Sequence, residues 1–167
     1  DPFDVAADLI LEEEGQVMAF YVGVSGDLDE QWPLRQIIQH PNAAIETDAF
    51  SLGRGMPNPA LLGSFPRVLG QYARDEGLLT FEDAIRKMTS ISAERLGLQD
   101  RGLVRDGFWA DITVVDPETV ADNATYLDPD HGPSGIDYVL INGNVIVDGG
   151  EVDTDALHGQ VLRAGEG

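Results

Sequence analysis

The sequence predicts an α/β fold in its first part and a β-rich portion after it. Two observations lead to this prediction. Segments with helical and strand-like patterns alternate over residues 1–50, which is the order of βαβ units with a parallel sheet. Short apolar segments separated by Asp-Gly and Asn-Gly turns follow residue 98. We therefore divide the chain into residues 1–97 and residues 98–167.

The first part begins with helix, strand, helix and strand. Asp1 is a suitable cap for the first helix, and residues 16–24 form a continuous apolar run typical of a strand buried on both faces. Residues 30–39 carry apolar side chains at helical spacing, and residues 43–47 read as a short second strand that ends in the acid Asp48.

Three more helices are expected before residue 98. The first covers residues 66–76, and the second begins at Thr80, which resembles a capping-box residue. The third covers residues 92–96 and ends at Gly97, which can adopt the left-handed backbone conformation common after a helix.

Short strands are predicted in the β-rich portion. Residues 103–104 and 111–115 flank an Asp-Gly turn, and residues 138–141 and 145–147 flank Asn142-Gly143. The Asn-Gly pair between apolar runs predicts a hairpin with a type I′ turn, because both central residues must accept a positive φ.

Asp48 is the leading candidate for a catalytic residue. It follows an apolar segment and precedes a loop that contains several glycines and prolines. In parallel α/β folds, catalytic groups lie beyond the carboxyl ends of the strands, so Asp48 has the expected position. The alternative is that its carboxylate only caps a turn.

The composition restricts the possible partners. The 30 acidic residues and 10 Lys and Arg residues give a net charge of −20, and Lys87 is the only lysine. A field of that sign repels phosphate, so we expect neither nucleic acid nor an anionic membrane as a partner. The acidic excess is typical of proteins from a salt-rich cytoplasm, which suggests a cytoplasmic protein of a halophilic organism.

Residues for a complete metal site are missing. The sequence contains no Cys and three His, and a catalytic zinc needs about three protein ligands with an open position. Because the sequence begins at Asp1 without a Met, we expect that a natural N-terminus has been lost.

Several motifs resemble the C-terminal part of the N-acyl-D-amino-acid deacylases, also called D-aminoacylases, of the amidohydrolase superfamily. Residues 63–70, Gly-Ser-Phe-Pro-Arg-Val-Leu-Gly, carry the most specific likeness. The other matching segments are residues 47–49, 57–59, 84–89, 93–98, 100–117 and 142–143.

The resemblance implies a fold and a zinc site. Residues 1–97 would be the last strands and helices of a metal-dependent (β/α)₈ hydrolase barrel, and residues 98–167 a portion of a β-sandwich. Asp48 would close the eighth strand, contact the metal and take a proton from the attacking water. One or two Zn²⁺ ions would be bound, with the remaining ligands outside this chain. Arg54 and Arg67 are the candidates for binding the carboxylate of an N-acyl amino acid substrate. Arg54, in the loop bordering the pocket, is the better candidate, because we expect Arg67, on a helix, to pair with a neighbouring acid.

Other interpretations remain at this point. The chain could belong to an amidohydrolase that acts on a cyclic amide, such as a hydantoinase or a dihydroorotase. It could also be a structural or interaction module without catalytic activity. Since the other metal ligands are missing, we expect the isolated chain to be inactive.

Overall fold

The computed structural model describes residues 1–15, 31–49 and 56–162. The chain divides into two compact units, Asp1–Leu34 and Arg35–Gly167. The predicted strand over residues 16–24 lies outside the described residues. No described helix has both the length and the apolar character that crossing a bilayer requires.

The first unit contains helix α1, Pro2–Glu12. As predicted, Asp1 caps it, because its carboxylate accepts a hydrogen bond from the backbone N–H of Phe3 at 2.9 Å. The helix ends as expected before Gly15, whose φ is +77°.

Helix α2, Trp32–Gln39, spans the boundary between the units and confirms the predicted second helix, although it begins two residues later. A turn at residues 40–42 ends it, and residues 43–49 continue in a non-helical conformation in which half-buried and exposed residues alternate. This alternation has the period of a strand, but the segment forms no ladder with any described residue. The neighbour predicted for this strand, residues 16–24, lies outside the described residues, so the strand over residues 43–47 stays a prediction.

The next helix starts earlier than predicted. Helix α3, Ala60–Arg67, contains Pro66 and continues directly into a π-helix, Val68–Asp75. Proline has no N–H to donate, and its ring crowds the carbonyl one turn earlier. These two properties of Pro66 account for the change from α-helical to π-helical hydrogen bonding at this point. The sequence pattern placed Pro66 at the helix start, where proline is most common.

Helices α4, Phe81–Met88, and α5, Ser90–Leu96, follow. Thr80 caps α4 as predicted, since its hydroxyl accepts a hydrogen bond from the N–H of Asp83 at 3.1 Å. Gly97 ends α5 with a φ of +73°, also as predicted.

The core of the second unit lies mainly between the helices. Its buried apolar residues come from the π-helix, from α4 and α5, and from the connection that precedes the second strand. They include Val68, Leu69, Tyr72, Ala84, Ile91, Val120 and Ala124. Gly70 allows the π-helix to approach this connection, because a Cβ at that position would lie 2.4 Å from the carbonyl oxygen of Val120.

Four antiparallel strands form one sheet in the order β1-β2-β3-β4. Their bounds are Ile112–Val115, Ile136–Ile141, Asn144–Asp148 and Glu151–Val152. The predicted β2–β3 hairpin is confirmed: Asn142 and Gly143 have φ values of +50° and +81°, as a type I′ turn requires.

The predicted strand over residues 103–104 is wrong. Leu103 and Val104 are 47% and 90% exposed and lie in a loop, whereas β1 pairs with β2. Two apolar residues beside an Asp-Gly turn are not sufficient for a strand, because a strand also needs a neighbouring strand with which it can pair.

Candidate functional site

Asp48 lies near the end of the extended segment, residues 43–49. It is exposed and has a φ of +43°, a left-handed backbone conformation that few residues other than Gly, Asn and Asp adopt. Its carboxylate forms no hydrogen bond or ion pair with any described residue. Among the described residues, only the backbone of the segment determines where this carboxylate lies.

Helix α4 fixes the beginning of this segment. The side chain of Lys87 is fully buried, and its Nζ donates to the carbonyl oxygen of His40 at 2.5 Å, with that of Ala43 at 3.5 Å. The backbone carbonyl of Lys87 accepts a hydrogen bond from the N–H of Ile45 at 3.1 Å. Because a buried ammonium group is costly without acceptors, these contacts explain how the only lysine of the chain is tolerated in the core.

The described residues do not form a metal site by themselves. No group of three His, Asp or Glu side chains among them could hold an ion. Asp48 offers one carboxylate, which is a suitable oxygen ligand for zinc, and a complete site needs about two more protein ligands.

The three histidines are exposed and serve other contacts. Nδ1 of His40 accepts a hydrogen bond from the N–H of Asn42 at 3.2 Å. His131 pairs with Asp128 at 2.8 Å, and the backbone carbonyl of His158 accepts a hydrogen bond from the Asn142 side chain. His131 and His158 therefore lie at the surface.

Arg67 forms an ion pair with an acid, as predicted from its position on a helix. Its Nε donates to Oδ2 of Asp122 at 2.8 Å, and the Asp122 side chain is 7% exposed. This pair and Asn58 line a cavity of about 120 Å³. Asn58 lies just before helix α3, and its side-chain oxygen accepts a hydrogen bond from the N–H of Ala60 at 2.9 Å. Arg54, the other candidate for binding a substrate carboxylate, lies outside the described residues.

A larger open cavity of about 730 Å³ lies between the helices and the sheet. Its walls are mainly apolar, with Phe65 and Ile85 on the helical side and Ile112 and Val139 on the sheet. Asp48 lines neither this cavity nor the smaller one. The described residues thus do not bring Asp48 together with a second catalytic group.

Comparison with known proteins shows the family to which the chain belongs. A sequence model described as the Amidohydrolase family matches residues 18–147, which is most of the chain. The chain belongs to the amidohydrolase family. Its fold, with helices followed by a small antiparallel sheet, is consistent with one part of a larger amidohydrolase domain.

Two curated relatives match the chain over different lengths. The chain is 52% identical to a D-aminoacylase of Alcaligenes xylosoxydans xylosoxydans over 87 residues, which cover 52% of this chain and 18% of that protein. It is 34% identical to an N-acyl-D-aspartate deacylase of the same organism over 164 residues, covering 98% of the chain and 32% of the relative.

A solved structure supports the same family. N-acyl-D-glutamate deacylase from Bordetella bronchiseptica, in complex with zinc and a phosphonate mimic of the tetrahedral intermediate, matches with a TM-score of 0.74 and 40% identity. The match covers 81% of this chain and 28% of that one. The chain spans about a fifth to a third of the length of the curated amidohydrolase relatives that it matches.

Sequence reasoning did not identify Lys87 as a residue of this region. The sequence did contain a signal, because a single lysine in a chain with 30 acidic residues suggests a specific position rather than a solvated surface.

Proposed function

We propose that this chain is the carboxyl-side part of a zinc-dependent N-acyl-D-amino-acid deacylase. Such an enzyme hydrolyses the amide bond of an N-acyl-D-amino acid to a D-amino acid and a carboxylate. The observation that carries the proposal is that the matched relatives with different amino-acid preferences are all deacylases of D-amino acids. An activity common to these relatives is the best-supported activity for a chain that resembles each of them.

In the proposed enzyme, residues 1–97 complete a (β/α)₈ barrel. Residues 16–24 and 43–47 would be its seventh and eighth strands, and residues 98–167 would contribute to a β-sandwich. The alternating burial of residues 43–49 supports this arrangement, because an extended segment with that pattern can pair once neighbouring strands are present.

Asp48 is the proposed general base and a ligand of one or two zinc ions. A zinc ion held there would supply a coordinated water with a pKa of about 7 and would polarise the carbonyl group of the amide. The Asp48 carboxylate accepts a proton from the attacking water as the C–O bond forms. The resulting carboxylic acid then donates this proton to the amine nitrogen as the C–N bond breaks. Exposure of the carboxylate and the absence of hydrogen-bond partners among the described residues support this role.

Arg54 is the proposed partner of the substrate carboxylate. A guanidinium group binds a carboxylate through two parallel hydrogen bonds, and the loop after Asp48 would border the substrate. The pairing of Arg67 with Asp122 favours Arg54 over Arg67 for this task.

We also propose that the enzyme works in the cytoplasm of a halophilic organism, because a net charge of −20 favours folding at high ionic strength, where self-repulsion is screened. Its unfolding temperature should rise as potassium chloride increases from 0.1 M to the molar range. An unfolding temperature that falls over this range would contradict the assignment.

Activity of the full-length product, measured in molar potassium chloride, tests the function. N-acetyl-D-methionine, N-acetyl-D-glutamate and N-acetyl-D-aspartate are the substrates, with the L-enantiomers and a hydantoin as controls, and zinc is measured in the purified protein. Zinc-dependent hydrolysis restricted to D-enantiomers supports the proposal. A product that binds no zinc, or that cleaves only the cyclic amide, contradicts it.

A further inference from the structure

Lys87 differs from the other basic residues that the structure describes. It is the only lysine, its side chain has no exposed surface, and it lies near the end of α4. Among the described residues, its nearest carboxylate oxygen is Oδ2 of Asp83 at 3.8 Å, so its closest partners there are backbone carbonyls rather than an acid. A group that binds carbonyls of another segment from inside the core is suited to holding that segment in place.

The held segment leads directly to Asp48. Nζ of Lys87 donates to the carbonyls of His40 and Ala43. The backbone carbonyl of Lys87 accepts a hydrogen bond from the N–H of Ile45. The neighbouring residue Arg86 adds a hydrogen bond to the carbonyl of Pro41 at 3.2 Å. Only two residues separate Ile45 from Asp48, so a displacement of the anchored part moves the carboxylate.

The position of Asp48 depends on the backbone segment that precedes it. Its left-handed backbone conformation is a strained one that persists when the surrounding structure determines it. No described side chain binds its carboxylate, and the backbone that carries it continues directly from the segment that Lys87 holds. A catalytic base must lie within hydrogen-bond distance of the proton that it accepts, and small misplacements reduce the rate strongly.

We propose that Lys87 is a positioning residue for Asp48: its buried ammonium group fixes residues 40–45 and thereby directs the Asp48 carboxylate toward the reacting water. This inference rests on the proposed function, since the position of the carboxylate affects the rate only if Asp48 is the general base. Lys87 itself touches neither the substrate nor the metal.

The test uses the full-length enzyme with Lys87→Met, which keeps the volume and removes the ammonium group. Lys87→Gln, which retains a shorter donor, is the conservative variant and also serves if Lys87→Met does not fold. Thr80→Ala is the matched control, because it removes the N-cap of the same helix, and the Thr80 hydroxyl forms its hydrogen bond with the N–H of Asp83 rather than with residues 40–45. The measurements are kcat per bound zinc, KM, the unfolding temperature, and amide hydrogen exchange of residues 43–49.

For folded Lys87→Met we expect kcat to fall by about 10- to 100-fold while KM stays near the wild-type value. Lys87→Gln should recover part of this loss, and residues 43–49 should exchange faster in Lys87→Met only. Wild-type kcat in folded Lys87→Met, or the same loss of kcat in Thr80→Ala, would overturn the inference. An inactive wild-type enzyme would instead contradict the proposed function, and hydrogen exchange would still decide whether Lys87 holds the segment.

Discussion

Arg67 and Asp122 are 55 residues apart in sequence and form an ion pair in which Nε of Arg67 lies 2.8 Å from Oδ2 of Asp122. The pair joins helix α3 to the connection between β1 and β2. Oδ1 of Asp122 also accepts a hydrogen bond from the N–H of Ala124 at 2.9 Å. One nearly buried carboxylate thus binds the helical part to the β-rich part.

Asp122→Ala should lower the free energy of unfolding by about 1.5–3 kcal/mol, the range for hydrogen bonds to charged groups. Urea denaturation measures this difference. Asp130→Ala is the matched control, because Asp130 is exposed and has no partner among the described residues. Equal stability of the two variants would show that the ion pair contributes little.

Gly70→Ala should destabilise the protein by about 1–3 kcal/mol, the usual cost of overpacking. The added methyl group would lie 2.4 Å from the backbone carbonyl oxygen of Val120, which cannot move without shifting the connection. Gly132→Ala is the control, since open space surrounds that position. The unfolding free energies of both variants test the prediction, and an unchanged value for Gly70→Ala would refute the close approach.

Glu76 should contribute a pH-dependent stabilisation. Hydrogen bonds from Arg35 and Gln71 lower the pKa of the Glu76 carboxyl group below its ordinary value of 4.5. A lowered pKa means that the folded state binds the proton less tightly than the unfolded state, so the stabilisation is complete above about pH 4.5 and disappears as the pH falls through the folded-state pKa. The stability difference between wild type and Glu76→Gln should therefore be present at pH 7 and shrink with acidification. A difference that is constant from pH 7 to pH 3 would contradict this assignment.

Arg54→Met should raise KM for N-acyl-D-amino acids by about 10- to 100-fold, with a smaller effect on kcat, because it removes a charge-assisted contact made before and during the reaction. Arg67→Met should leave KM near the wild-type value and lower stability instead, since Arg67 is occupied by Asp122. Steady-state kinetics of both variants distinguish the two arginines. The reverse result would assign the substrate carboxylate to Arg67.

Features determined by a few neighbouring residues were predictable from the sequence. The caps at Asp1 and Thr80 and the turn at Asn142-Gly143 are examples, because a short polar side chain or a residue tolerant of positive φ decides each of them locally.

Features that depend on distant partners were not predictable in the same way. The burial of Lys87 requires the carbonyls of residues 40 and 43, and the pairing of Arg67 requires an acid far along the chain. The strand predicted over residues 43–47 likewise depends on a distant neighbour, and no described residue forms a ladder with it. Asp48 was found as a candidate because its place after an apolar segment and before a glycine-rich loop is visible in the sequence.

The most direct test of the account is the kcat of Asp48→Asn in the full-length enzyme, measured per bound zinc with N-acetyl-D-methionine. Glu46→Gln is the control, because Glu46 is an exposed acid in the same segment. We predict that Asp48→Asn loses about 10²- to 10⁴-fold in kcat, the contribution of a general base, while Glu46→Gln keeps the wild-type rate. An Asp48→Asn enzyme as active as the wild type would contradict the account and leave Asp48 as a residue that only shapes a loop.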